Sequence, residues 1–134
     1  MEKCDIKEIL TRYKIVAVVG LSPDQGKPSH EVAAYLKRAG YRIIPVNPAC
    51  QEVLGERCYP TVSDIPGEVE IVDIFRRSEF VPEIVEQSIA KGAKVVWMQE
   101  GVVHEAAAQR AEAAGIAVVM DRCMLKEHHK AVAR

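Results

Sequence analysis

Short apolar runs rich in β-branched residues recur along the chain. They predict strands at 15–19, 43–46, 71–75, 95–98 and 117–120. The segments between the runs carry apolar residues at helical spacing, as in Val32, Ala33 and Leu36. Because the strands are apolar on both faces and alternate with helices, the pattern predicts an α/β fold in which helices cover both faces of a parallel sheet.

The predicted helices are marked by capping residues where they begin and by glycines where they end. Ser29 is predicted to cap a helix that Gly40 ends, and His104 to begin an alanine-rich helix that Gly115 ends. A third helix ends at Gly92. Shorter helices are predicted before the first strand and after the last.

Right-handed crossovers leave few arrangements of these elements, and the leading one is a single Rossmann-like, doubly wound sheet. The chain of 134 residues is close to the usual size of one domain, so 1–134 is predicted as one unit. The segment 49–68 is the least regular, with at most a short strand near Cys58 and Tyr59, and its length suggests a functional role. In doubly wound sheets the ligand crevice lies beyond the carboxyl ends of the strands, where the strand order reverses.

Charge and composition exclude several classes of partner. Eighteen basic and nineteen acidic side chains give a net charge of -1, and only 5% of the residues are aromatic, so no nucleic-acid partner is predicted. No apolar run approaches membrane-spanning length, and no signal sequence is evident at the charged start, which predicts a cytoplasmic protein with no membrane partner. The four cysteines show no CxxC pair, which fits a reducing compartment.

The loop after the first strand has the features of an anion site. Gly20 allows a ligand to approach the backbone, Ser22 offers a hydroxyl, and Lys27 precedes the free N–H groups of the next helix. A helix N-terminus beside an ammonium group favours a phosphate. A plain loop with Ser29 as a cap and Lys27 in solvent accounts for the same residues, so both interpretations stay open here.

Two adjacent arginines follow the strand at 71–75. Arg76 and Arg77 could bind a phosphate bidentately, and Ser78 could cap the following helix. The alternative is that both arginines are solvated or pair with Glu79 and Glu83. Their position at a strand end favours the phosphate.

Polar residues also follow the last two strands. Gln99 could hydrogen-bond a ligand amide or base, and Gly101 admits a close approach, whereas Trp97 is expected in the core. Arg122 and Cys123 place a cation and a thiol at the same edge, where the arginine would lower the pKa of the thiol.

Other kinds of site are disfavoured. The GxGxxG fingerprint is absent, and the second strand ends in Asn47 rather than an acid, so an oxidoreductase using NAD or NADP is the weaker alternative. There is no GxSxG elbow for a hydrolase. No metal site is predicted, because no zinc-ligand spacing is found among Cys50, Cys58, Cys123, His128 and His129. No catalytic residue is predicted either.

Taken together and in order, the strand-end motifs resemble those of the small CoA-binding protein family. They are Gly20-Leu21-Ser22-Pro23 with Lys27-Pro28-Ser29-His30, Pro45-Val46-Asn47-Pro48, Val72-Asp73-Ile74-Phe75-Arg76-Arg77, Trp97-Met98-Gln99-Glu100-Gly101-Val102 and Asp121-Arg122-Cys123. The likeness covers nearly the whole chain. It implies the CoA-binding Rossmann domain of the succinyl-CoA synthetase α subunit standing alone, with sheet order 3-2-1-4-5-6. The short strand near Cys58 would then be the third and 71–75 the fourth.

The resemblance implies coenzyme A or an acyl-CoA as the ligand. It implies that the pyrophosphate and adenosine end contacts Gly20, Leu21, Ser22, Lys27, Ser29 and His30, and that Asn47 and Pro48 line the nucleotide side. Phe75, Arg76 and Arg77 would lie in the crevice, and Gln99, Gly101 and Val102 would meet the pantetheine, with Arg122 and Cys123 nearby. The phosphohistidine and ATP-grasp domains of the synthetase have no counterpart in this chain, so ligase chemistry is not inferred.

These observations favour a non-catalytic CoA carrier, sensor or regulatory module. The alternatives are an NAD(P)-linked oxidoreductase, a thiol redox protein that forms a mixed disulfide with CoA through Cys123, and a subunit of a larger acyl-CoA synthetase. The sequence leaves open whether the chain forms a homo-oligomer or binds a partner subunit.

Overall fold

The computed structural model describes residues 5–132 and contains a parallel sheet between two helical layers. The strands are β1 (Ile15–Val19), β2 (Arg42–Val46), β3 (Glu52–Val53), β4 (Glu56–Arg57), β5 (Ile71–Ile74), β6 (Val95–Met98) and β7 (Ala117–Val119). The sheet has the order β2-β1-β5-β6-β7, and every neighbouring pair in it is parallel. The predicted Rossmann-like α/β fold is confirmed.

The predicted third strand is reduced to a single parallel bridge between Val46 and Tyr59. Tyr59 donates its N–H to the carbonyl of Pro45 (3.0 Å), and its own carbonyl accepts the N–H of Asn47 (2.9 Å). Among residues 5–132 the pairing of this segment with β2 is limited to that one bridge. The segment 52–57 instead folds back as the antiparallel β3–β4 hairpin. The strand order still reverses between β1 and β5, as the prediction requires.

The helices are α1 (Ile6–Arg12), α2 (Pro28–Arg38), α3 (Val81–Lys91), α4 (Glu105–Ala113) and α5 (Met124–Val132). Alternate residues of each strand face opposite layers: Val16 and Val18 pack with α1, α2 and α5, whereas Ala17 and Val19 pack with α3 and α4. Strands that are buried on both faces read as continuous apolar runs, which is why the sequence revealed them. No helix among residues 5–132 is long and apolar enough to cross a membrane.

The prediction that Ser29 caps α2 is wrong. The helix begins one residue earlier, at Pro28, whose fixed φ suits the first helical position, and Lys27 is the N-cap without a capping side chain. Ser29 is buried, and its Oγ accepts the N–H of Ser22 at 3.0 Å. The serine therefore ties the loop after β1 to the helix.

The cap predicted at Ser78 is also wrong, whereas the start predicted at His104 is confirmed. Ser78 begins a 3-10 turn that precedes α3, and its Oγ accepts the N–H of Val103 at 3.0 Å. His104 is the N-cap of α4, and its Nδ1 accepts the N–H of Ala107 at 3.1 Å. Ser78 thus links the loops after β5 and β6 instead of capping a helix.

The C-terminal helix α5 is anchored by His128. Its Nδ1 lies 2.8 Å from the hydroxyl of Tyr35, and its ring meets those of Tyr35 and Tyr41 edge-on, at centroid distances of 5.4 and 5.5 Å. Burial lowers the pKa of His128 below its ordinary 6.5, and the charges of Lys14 and His129 lower it further. The packing therefore favours a neutral imidazole.

Acidification should weaken this anchor. Because the pKa of His128 is lower in the folded protein, the unfolded chain takes up the proton first, so stability falls as the pH drops from 6.5 towards the lowered value. Urea unfolding above and below pH 6.5 measures this loss, which we expect to shrink in His128→Gln and to persist in a variant of exposed His129, His129→Gln. Equal losses in both variants would contradict the assignment to His128.

Candidate ligand-binding site

The loops after β1 and β2 are joined by the side chain of Asn47. Its Nδ2 donates to the carbonyl of Leu21 (2.9 Å), and its Oδ1 accepts the N–H of Ala49 (2.8 Å). Leu21 is fully buried, and its carbonyl is the acceptor in this contact, while Pro48 next to Asn47 is exposed. Asn47 thus positions two loops that the sequence assigned to one site.

The loops after β1 and β5 meet at Gly20, where the strand order reverses. Gly20 has a φ of +88°, and its N–H donates to the carbonyl of Val46 at 2.8 Å. A Cβ at this position would lie 3.1 Å from the carbonyl oxygen of Phe75 and 3.2 Å from Cδ of Arg76. The site therefore needs glycine both for its backbone conformation and for the space, and Gly20, Phe75 and Arg76 are in one place as predicted.

The start of α2 faces the same region with its N-terminal turn uncapped by a side chain. Lys27 is exposed at the N-cap, and His30 is half-buried in the first turn. The hydroxyl oxygen of Ser22 accepts the N–H of Asp24 (3.0 Å), which shapes the loop before the helix. Pro28 has no N–H, and His30 donates its own N–H to the carbonyl of Lys27 (3.1 Å), so the attraction for an anion comes from the positive end of the helix dipole and from the ammonium group of Lys27.

Arg76 and Arg77 both lie over the ring of Phe80. The guanidinium carbon of Arg76 is 4.3 Å from the ring centroid and that of Arg77 is 5.6 Å away. Among the described residues neither arginine forms an ion pair with Glu79 or Glu83. Stacking holds the two cations at the strand end without neutralising their charge.

A cavity of about 220 Å³ opens beside Arg76 at the carboxyl ends of β1 and β2. The residues that line it are Val19, Val46, Pro48, Pro60, Thr61, Arg76, Phe80, Glu83, Ile84 and Gln87. Pro60, Thr61, Phe80 and Gln87 were not predicted. The irregular segment 49–68 was the available signal for the first two, and an aromatic residue four positions after Arg76 was the signal for Phe80.

The residues predicted for the pantetheine side form a second group, after β6. Gln99 is buried, and its Oε1 accepts the N–H of Met124 (3.1 Å), so this oxygen caps α5. Its carbonyl accepts the N–H of buried Val102 (2.9 Å). Gly101 is exposed and donates its N–H to Oδ1 of Asp121 (2.8 Å). The group is compact, but the oxygen of the Gln99 side chain already serves the fold.

Arg122 and Cys123 border this second group. Arg122 is exposed with its guanidinium 3.6 Å from the Glu127 carboxylate, and its carbonyl accepts the indole N–H of Trp97 (2.8 Å). Trp97 is fully buried, as predicted. Cys123 is buried, with 8% of its surface exposed. Cys4, the first cysteine of the sequence, lies outside the described residues.

Asp73 is a buried carboxyl group in the middle of β5, between Val18 of β1 and Trp97 of β6. Neither carboxyl oxygen has a hydrogen-bond partner within residues 5–132. Burial raises the pKa of Asp73 well above its ordinary value of 3.8. In the sequence, Asp73 stands within a strand motif, and no role of its own was predicted for it.

Comparison with known proteins identifies the relatives of this chain. A family model described as a CoA binding domain matches residues 14–129. The uncharacterized protein YneT of Bacillus subtilis is 44% identical over 126 residues, which cover 94% of this chain and 93% of that protein. A hypothetical protein from Pyrococcus horikoshii OT3 superposes with a TM-score of 0.93 at 44% identity, covering 99% of this chain and 100% of the other. Acetate–CoA ligase (ADP-forming) II of Archaeoglobus fulgidus is 40% identical over 83 residues, which cover 60% of this chain but only 12% of the ligase.

Proposed function

Because the chain belongs to the CoA-binding domain family, we propose that it binds coenzyme A or an acyl-CoA in the crevice at the carboxyl ends of β1, β2 and β5. The observation that carries the proposal is the meeting of Gly20 with Phe75 and Arg76 at the reversal of strand order. This is where doubly wound sheets bind nucleotides.

The phosphates of CoA suit the charges that surround this point. The N-terminal turn of α2 offers the positive end of a helix dipole, Lys27 offers an ammonium group, and Arg76 offers a guanidinium that is free of carboxylate partners in the described part of the chain. Hydrogen bonds between charged partners contribute about 1.5–3 kcal/mol each. A ligand with several phosphates gains more from this set than a singly charged ligand does.

The remaining parts of CoA have candidate partners on either side. The cavity beside Arg76, bounded by Pro48, Pro60 and Phe80, is the proposed place for part of the nucleotide. The row from Gln99 to Val102, tied to the crevice through Ser78 and Val103, is the proposed path of the pantetheine arm. We assign no catalytic residue, so the protein acts in this proposal as a carrier, sensor or regulatory module.

The alternatives have less support. In NAD enzymes an acidic residue grips the adenosine ribose, whereas Asn47 stands here and its amide holds Leu21 and Ala49. A mixed disulfide of CoA with Cys123 requires exposure of a thiol that is buried. A role beside a partner subunit is favoured by the likeness to part of an acetate–CoA ligase, and a pull-down from native extract tests it.

Calorimetric titration of the reduced, ligand-stripped protein tests the proposed function. We expect CoA to bind with micromolar affinity, dephospho-CoA to bind more weakly, and NAD and ATP to bind least. Binding of NAD with no binding of CoA would contradict the proposal and would favour an oxidoreductase.

The two arginines should differ in their contribution to CoA binding. Arg76→Ala is expected to weaken CoA binding about tenfold to hundredfold, because it removes a charge-assisted contact of about 1.5–3 kcal/mol. Arg77→Ala should have a smaller effect, because Arg77 is more exposed and lies farther from Phe80.

Calorimetry on both variants measures the difference between the two arginines. Arg12→Ala removes the same charge from α1 at the opposite edge of the sheet and is the control. If all three variants bound CoA alike, Arg76 would not contact the ligand.

A further inference from the structure

A second cavity, of about 720 Å³, lies between the loop after β2 and the β3–β4 hairpin. Asn47 and Pro48 form one part of its wall, and two cysteines, Cys50 and Cys58, form another. Neither cysteine has a role in the proposed binding of CoA. The spacing of these two residues in the sequence fits no metal-ligand pattern, so their juxtaposition needs a different explanation.

The backbone brings these two cysteines together. The N–H of Cys58 donates to the carbonyl of Gln51 (2.9 Å), and the N–H of Asn47 donates to the carbonyl of Tyr59 (2.9 Å). The turn 47–51 is therefore bonded at its two ends to consecutive residues, Tyr59 and Cys58, and Cys50 lies within that turn. Cys50 also packs against the apolar cluster that contains Cys58.

A disulfide bond requires two backbone segments that lie close together. Opposed residues of antiparallel segments have Cα atoms about 4.5–5.5 Å apart. A disulfide spans Cα atoms about 4.4–6.8 Å apart. Cys50 precedes Gln51, the residue opposed to Cys58, so the proposed bond also requires the turn 47–51 to direct Cys50 towards Cys58.

The two thiols differ in their exposure to solvent. In a two-step thiol–disulfide exchange, the more exposed thiol reacts first with the external reagent. Cys50 is partly exposed on the cavity wall, whereas Cys58 is buried with 7% of its surface exposed. Burial raises the pKa of the Cys58 thiol, and the neighbouring Cys50 and Glu52 raise it further. Cys50 is therefore the thiol that an external reagent reaches first.

We propose that Cys50 and Cys58 form a reversible dithiol–disulfide pair whose oxidant is a low-molecular-weight disulfide. The Cys50 thiolate attacks one sulfur of that disulfide, which releases one small thiolate and leaves a mixed disulfide on Cys50. The Cys58 thiolate then attacks Sγ of Cys50 and releases the second small thiolate. In sum, two protein thiols are oxidised to a disulfide, and one small disulfide is reduced to two thiols that carry the two protons.

The bond would fix the loop that carries Asn47 and Pro48 to the end of β4. CoA, which carries a thiol, and the loop 47–51, which would respond to the thiol–disulfide balance, would then lie at the same edge of the sheet. The thiol pair itself is independent of the proposed function, whereas any effect of the disulfide on CoA affinity rests on that function.

Oxidised glutathione is the probe for this pair. Trypsin separates the thiols, because its expected fragments carry Cys50 on 43–57, Cys58 on 58–76 and Cys123 on 123–126. After treatment and alkylation, we expect fragments 43–57 and 58–76 of the wild type to be linked, with a mass two hydrogen atoms below the sum of the two unmodified fragments. Cys58→Ser should stop at one glutathionyl group on Cys50, and Cys50→Ser should form neither product.

Cys123→Ser is the matched control and should form the same linkage as the wild type. Recovery of Cys50 and Cys58 as separately alkylated fragments in the wild type would overturn the proposal, as would a linkage through Cys123. These outcomes do not depend on CoA binding, which calorimetry on the reduced protein measures separately.

Discussion

Replacement of Gly20 by alanine is expected to destabilise the protein by about 2–4 kcal/mol and to weaken CoA binding more than any single charge removal. Two costs add at this position. A φ of +88° is strained for an L residue, at about 1–2 kcal/mol. The new Cβ would also lie 3.1 Å from the backbone oxygen of Phe75, which cannot rotate away as the end of a side chain can.

Gly115 provides a control for the first of these costs. Its φ is +87°, nearly that of Gly20, but a Cβ there would meet nothing within 4 Å. Gly115→Ala should therefore cost only the backbone strain, about 1–2 kcal/mol, and leave CoA affinity unchanged.

Denaturant unfolding and calorimetry on both variants separate the cost of the close Cβ contact from the cost of the positive φ. The excess cost at Gly20 measures the close approach of the loops after β1 and β5. Equal destabilisation in the two variants, with equal CoA affinity, would mean that the two loops do not form a shared ligand crevice.

Asp73→Asn is expected to make the protein more stable near neutral pH, by about 1–3 kcal/mol, because an amide cannot ionise, whereas burial penalises the charged form of a carboxyl group that has no partner in the described residues. The pKa of Asp73 is raised in the folded protein. The folded wild type is therefore most stable below pH 3.8, where the carboxyl group is protonated in both the folded and the unfolded protein. It loses stability as the pH rises towards the raised pKa.

The stability difference between Asp73→Asn and the wild type should therefore grow as the pH rises above 3.8. Asp73→Val, which leaves no polar group between Val18 and Trp97, should show the same pH trend. Glu79→Gln, at an exposed position, should show none. Chemical unfolding across the pH range measures all three. A difference that stayed constant with pH would contradict the raised pKa of Asp73.

Asp73 also shows where prediction from the sequence ended. The apolar pattern on either side, Val72 and Ile74, was enough to predict a buried strand, because a parallel sheet buries both faces of its strands. The pattern carries no information on whether a hydrogen-bond donor lies near the one acidic residue. That depends on residues distant in sequence, such as Val18 and Trp97.

The sequence predicted which strand-end residues lie together better than it predicted their contacts. The rule that ligands bind at strand ends was enough to bring Gly20, Phe75 and Arg76 into one group. Ser29 and Ser78 were assigned as caps because serine favours helix starts, yet Ser29 accepts the N–H of Ser22 and Ser78 accepts the N–H of Val103. Local propensity could not reveal these contacts, since they depend on how the loops pack.

The predicted third strand shows a second limit of prediction from the sequence. The sequence marked Cys58 and Tyr59 as extended, and Tyr59 does pair with the edge of the sheet. The pairing is one bridge long, and the β3–β4 hairpin that precedes it places Cys50 and Cys58 on the wall of one cavity. A short irregular segment leaves too little hydrophobic periodicity for such a fold to be predicted.

The most direct test of the central claim is a map of amide chemical shifts in the reduced protein as CoA is added. We expect the shifted amides to include Gly20, Ser22, His30 and Arg76, at the carboxyl ends of the strands. Amides of Lys14, Glu70 and Lys94, which border the amino-terminal ends of β1, β5 and β6, should not move. Shifts confined to that opposite edge, or no shifts at saturating CoA, would contradict the proposed crevice.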